Sequence, residues 1–111
     1  MKIINKSKGV VLADAIIADT PFKRMKGLLG RKALNEGEAL VIKPCNSIHT
    51  FFMRFPIDVL FVDKNNKVIK AISSIKPFRI TGIYFGAAFV VELSAGTIKR
   101  TRTVESDLLS L

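Results

Sequence analysis

CNSIHTFFMRFPIDVLFVD, residues 45–63, decides how the chain is read. Its second half, IDVLFV, is apolar at both parities apart from Asp58. Alternate residues of a strand point to opposite faces, so a segment apolar on both is a central strand buried on both sides. Its first half carries the only cysteine and the only histidine of the chain, and phenylalanines at 51, 52 and 55. Residues 48–55 read as a further extended segment, interrupted by Pro56, which has no N–H to give to a ladder.

Working outward, Lys64, Asn65 and Asn66 form a turn signal, and residues 67–75 return as a strand that Pro77 ends. A Gly- and aromatic-rich loop, 78–86, leads to a strand over 87–93. Upstream, residues 39–43 are a strand stopped by Pro44. Residues 1–4 and 10–18 flank NKSKG and predict a hairpin. Thr20-Pro21 opens the one clear helix, with Thr20 as N-cap, Pro21 at the first helical position and apolar residues at 22, 25, 28 and 29. Gly30 is placed to close it, and Gly27 inside it implies close packing on a neighbour. The tail beyond Gly96 predicts one more short element. The fold class is therefore α+β and mostly antiparallel β: a small barrel-like or sandwich-like sheet of about seven strands, with one main helix near residues 21–29, in one domain over residues 1–111.

Apolar residues make up 49% of the 111, a globular composition. Asp14 and Asp19 break the N-terminal apolar run, so neither a signal peptide nor a membrane span is expected. With a single cysteine there is no internal disulfide, which fits a reducing compartment. A soluble, cytoplasmic protein is the expectation. Eighteen Lys and Arg against nine Asp and Glu give a net charge of +9, which favours anionic partners. The basic residues cluster at Lys23, Arg24, Lys26, Arg31 and Lys32, and again at Lys99, Arg100 and Arg102.

Four arrangements compete for the chemistry. Cys45 and His49 would make a nucleophile and base only if a turn at Asn46-Ser47 folded them together, because residues four apart on a strand lie roughly 13 Å apart. Cys45, His49 and Met53 share a parity but fall short of the four N or S ligands of a structural zinc site; no metal or cofactor is assigned. Asp58 in a buried strand needs a cation or several donors, and Arg54, Arg79 and Arg24 are the candidates. Glu92, within VVEL, poses the same problem, with Arg31 or Arg24 as partner. The fourth arrangement gathers His49, Thr50, Arg54, Asp58 and Arg79 as the polar groups of a pocket walled by Phe52, Phe55, Phe78 and Tyr84, fit for a small anionic or polar ligand.

The segments TPFKRMKGLLGR (20–31), IHTFFMRFPIDVLFVD (48–63), KNNKVIKAI (64–72), KPFR (76–79) and VVELSAG (90–96) occur in that order. Together they resemble the domain of unknown function 192 family of small prokaryotic proteins. The resemblance implies a compact, mostly β fold and no particular substrate. Where family members have Pro-Ala-Gly after the VVEL-like strand, this chain has Ser94-Ala95-Gly96, and where they tend to have Gly-Asp near the end it has Ser106-Asp107. The leading expectation is a non-enzymatic binding or accessory module with no catalytic residues. The alternatives are a small hydrolase or lyase using His49 with Asp58, and an RNA- or DNA-binding protein using the basic helix and tail.

Overall fold

In a computed structural model, every residue is described except Leu29, Gly30, Lys32 and Phe52, and Phe22 and Met25 are described by their backbone alone. The strands are β1 (Lys2–Asn5), β2 (Val10–Ala18), β3 (Glu38–Ile42), β4 (Ile57–Val62), β5 (Val68–Ile75), β6 (Phe89–Ser94) and β7 (Leu109–Ser110). They form one seven-stranded sheet in the order β5-β4-β6-β3-β2-β1-β7. Each neighbouring pair is antiparallel except β2 and β3. A parallel pair needs a crossover connection, and that connection contains helix α1 (Pro21–Lys26). A second helix, α2 (Thr97–Thr101), follows β6.

The sheet curls into a half-barrel. Irregular register between Ile57 and Val59 and between Phe61 and Val62 bends β4 against β5. At one end the two outer edges meet: Ser106 N donates to Val68 O (2.8 Å), Val68 N to Asp107 O (2.9 Å) and Leu109 N to Asn66 O (2.8 Å).

The two-residue period then sorts the core. On the face holding Leu60, Val62, Val91 and Leu93, these pack with Ile3, Leu12, Val41 and Ile98 of α2. On the other face Val59, Phe61 and Val90 pack with Leu40, Ile42, Leu28, Ile48 and Met53. Both faces are covered, and β4 and β6 are buried at every position, as the double-parity apolar run predicts.

Two readings need correction. The described residues of 48–55 are a loop rather than a strand, and among them only His49 touches a ladder, through its isolated bridge to Ile80. Its backbone groups bond instead to the loop after β5. Thr50 N donates to Arg79 O (2.8 Å), Thr81 N to Ile48 O (2.9 Å) and Tyr84 N to Asn46 O (2.9 Å). Gly27 is the C-cap of α1, at φ 47, with its N–H donating to Lys23 O. Its role is that conformation rather than close packing. The expected closure at Gly30 and the helical position of Leu29 lie outside the described residues. Thr20 does cap the helix, its Oγ1 accepting from Lys23 N at 3.2 Å. Among the described residues no helix is long and apolar enough to cross a membrane.

Candidate functional site

β4 and β6 each carry one buried carboxylate, and cross-strand register sends the two to opposite faces. Asp58 pairs with Leu93 and Glu92 with Val59, so Asp58 shares the side of Leu60 and Leu93, and Glu92 the side of Val59 and Val90. The Asp58 carboxylate accepts from three backbone amides: Ser74 N (2.8 Å) on one oxygen, and Gly96 N (3.1 Å) and Ile98 N (2.8 Å) on the other. Gly96 is the N-cap of α2 and brings no side chain to that task, so Asp58 supplies the capping acceptor from across the sheet. The expected ion pair of Asp58 with Arg54, Arg79 or Arg24 is replaced by these donors. Three amides satisfy the carboxylate where a guanidinium would have had to be buried with it.

Glu92 has no such company. Its residue is 5% exposed, and its Oε2 is buried without a hydrogen-bond partner. Burial pushes its carboxyl up to about 7. The ion pair expected with Arg31 or Arg24 does not form. Arg31 turns to Glu38, at 3.2 Å on the half-exposed surface. Arg24 sends Nη1 to Pro44 O (3.2 Å) and leaves its Nε buried and unpartnered.

Both unsatisfied groups line one cavity of about 180 Å3 between α1 and the loop that follows β3. Arg24, Lys26, Gly27 and Leu28 come from the helix side, and Ile42 and Glu92 from the sheet. Pro44, Cys45, Ser47, Ile48, His49 and Met53 come from the loop. The loop can present Cys45, His49 and Met53 together because it is not extended, so the strand spacing that would hold Cys45 and His49 apart does not apply. His49 is exposed, and its Nδ1 accepts from Phe51 N at 3.3 Å, which leaves Nε2 as the donor of the neutral ring. Cys45 Sγ donates to Ser47 O at 3.0 Å. Burial, more than the Ser47 bond, the Glu92 charge or the Arg24 charge, drives the thiol's titration upward, so it is a thiol rather than a thiolate at neutral pH. Among the described residues no group of three or more His, Cys, Asp and Glu side chains is set to hold a metal ion.

Of the expected pocket residues that are described, only His49 lines this cavity. Thr50 is fully buried and staples two loops, its Oγ1 donating to Lys76 O (2.6 Å) and accepting from Arg79 N (2.9 Å). Arg54 and Arg79 are exposed, and Arg79 Nη1 reaches only Phe78 O at 3.4 Å. Asp58 is on the far face of the sheet, so it cannot serve His49 as an acid–base partner. Phe52 lies outside the described residues; Tyr84 packs on Phe61, ring centroids 4.4 Å apart. The residues missed as a set are Arg24, Lys26, Cys45, Met53 and Glu92. The signal for them was Glu92, a carboxylate in an otherwise apolar strand.

Residues 3–111 match the model of the DUF192 family, described as Uncharacterized ACR, COG1430. A UPF0127 protein of Thermococcus sibiricus is 35% identical over 101 residues, covering 86% of this chain. The chain spans 65% of that relative's length. A UPF0127 protein of Pyrococcus abyssi is 36% identical over 104 residues, covering 87% of this chain and 86% of its own. A crystal structure of a protein of unknown function from Novosphingobium aromaticivorans superposes with a TM-score of 0.88 at 18% identity, over 100% of this chain and 84% of that one. A crystal structure described as a putative transcription regulator from Sinorhizobium meliloti gives 0.85 at 22%, over 98% and 89%. At these identities the two solved structures bear on the fold alone.

Proposed function

The chain belongs to the DUF192 family, and we propose that it is a binding module for a small polar ligand received in the cavity between α1 and the 43–53 loop. One observation carries this reading. Two buried polar atoms, Arg24 Nε and Glu92 Oε2, stand without hydrogen-bond partners in residues that line the same cavity. An unmet buried donor or acceptor costs about 1–3 kcal/mol, and the described residues retain two of them in residues that line one recess. A ligand bearing an acceptor and a donor complements this guanidinium and this carboxylate.

The size suits a small molecule. A cavity of about 150 Å3 admits benzene, and this one is about 180 Å3. Its walls mix apolar Leu28, Ile42, Ile48 and Met53 with a few polar groups, the usual make-up of a ligand site. Two of the basic residues that favour a nucleic-acid surface, Arg24 and Lys26, line the cavity, which draws that charge toward a small ligand.

Thermal unfolding against amino acids, hydroxy acids, simple carboxylates, amines and sugar phosphates tests the reading. At least one class should raise the midpoint of the wild type and of Arg79→Ala, and leave Arg24→Ala unmoved. A panel without a stabilising compound, or hits that survive Arg24→Ala unchanged, overturns it.

A further inference from the structure

The charges around the cavity narrow the ligand further. A simple anion would suit Arg24 and Lys26 but would meet the Glu92 carboxylate, which no protein group neutralises. A simple amine would suit Glu92 but would meet two cations. Because Arg24 and Glu92, each with a buried unpartnered atom, both line one space of about 180 Å3, one molecule of roughly six to eight heavy atoms fills it, by comparison with benzene in about 150 Å3. We infer that the cavity takes a small aliphatic amino acid, its carboxylate held by Arg24 beside Lys26, its ammonium by Glu92, and its side chain against Leu28, Ile42, Ile48 and Met53. This rests on the binding-module reading and assigns the ligand's class.

Each end of such a molecule meets its complement. A guanidinium N–H donates to a carboxylate as a charge-assisted bond, and a buried carboxylate accepts from an ammonium in the same way. The apolar walls reward a branched aliphatic side chain. Glu92 then gives the complex a distinctive response to protons. The titratable and charged groups that border the cavity with it are Arg24, Lys26, Cys45 and His49. With its carboxyl pushed up to about 7 by burial, Glu92 is largely protonated in the empty protein at pH 5.5. An ammonium requires it ionised and a bare carboxylate favours it neutral.

The test uses L-valine, isovalerate (the acid without the amine) and isobutylamine (the amine without the acid), with binding followed by calorimetry or by amide shifts in NMR. Valine is expected to bind at least tenfold tighter than either analogue, and to weaken at least tenfold in both Glu92→Gln and Arg24→Gln. Its affinity should fall as pH drops from 8 to 5.5. Isovalerate binding as tightly as valine, or valine binding more tightly at pH 5.5, overturns the amino-acid assignment and leaves the binding-module reading standing. If neither valine nor any compound of the broader panel binds, both fall. Amide spectra of the two variants verify folding, and Arg79→Ala, outside the cavity, should bind valine as the wild type does.

Discussion

Asp58 and Glu92 sit on adjacent antiparallel strands, each in a fully buried segment, and their circumstances are opposite. Asp58 faces the end of β6 and the start of α2, where the chain turns and backbone N–H groups are unspent. Two of them, Gly96 N and Ile98 N, converge on its oxygens together with Ser74 N of β5. Glu92 faces the cavity between α1 and the 43–53 loop, where among the described residues its Oε2 meets no donor and Arg24, which lines the same cavity, spends its bond on Pro44. The same residue chemistry at similar burial thus gives a structural fastener on one face and an unsatisfied group bordering a cavity on the other. What distinguishes them is which ends of secondary structure fall opposite.

The sharpest way to break this contrast is to remove the fastener. Asp58→Ala leaves three amides without their acceptor and should cost about 3 kcal/mol or more, a fall in the unfolding midpoint of about 12 °C or more at roughly 4 °C per kcal/mol. A midpoint within about 2 °C of wild type would mean that those amides have other partners.

Glu92 should show nearly as large an effect, but in pH. Its ordinary value of 4.5 is raised to about 7 in the folded chain, so between these values the folded state holds a proton that the unfolded state has released. Stability from this group is fully present below about pH 4.5 and is lost as pH rises to about 7, a total of about 3 kcal/mol at 1.36 kcal/mol per pH unit. Glu92→Gln should abolish this slope. Subtracting its urea-unfolding profile from that of the wild type, at pH 4.5 to 8, isolates the effect from carboxylates that titrate the other way, such as Asp14, held low by the N-terminal ammonium. Parallel profiles would mean that Glu92 is compensated after all.

Arg31→Ala sets the floor. Its pair with Glu38 is half exposed on both sides, and such pairs contribute little. The midpoint should stay within about 2 °C of wild type, and a larger drop would show that surface ion pairs rather than the inward carboxylates hold this end of the sheet.

The sheet was legible because its signals are local. The double-parity run of β4, the hairpin of β1 and β2 around Gly9, and Thr20-Pro21 at the start of α1 each announce themselves within a few residues. Residues 48–55 misled because their apolar content is as high as a strand's, while their backbone partners lie some thirty residues away in the 76–84 loop. Asp58 and Glu92 were both recognisable as charges needing an explanation. Asp58 was assigned arginines because a side-chain cation leaves a mark in the sequence, whereas a converging backbone amide leaves none. Glu92 was assigned arginines too, and a carboxylate with no partner at all cannot be inferred from a pattern that assumes satisfaction. Of the described residues expected to form a pocket, His49 alone lines the cavity, since its shape depends on how the 43–53 loop turns.

The meeting of the sheet's two edges bears on how the chain reaches this state. β7 pairs with β1, joining Ile4 to Ser110 and Asn5 to Leu109, and residues 106–109 also clasp residues 66–68. Contacts between residues so distant along the chain form late and slowly, since a large loop must close before any of them is gained. As the polypeptide is synthesised, β1 therefore has an open edge until residues 106–110 emerge, a sticky ribbon of the kind on which nascent chains aggregate. Residues 106–110 act as a latch on assembly. A chain cut short of residue 106 would leave two strand edges bare at once, and would be a substrate for chaperones rather than a smaller version of the same sheet.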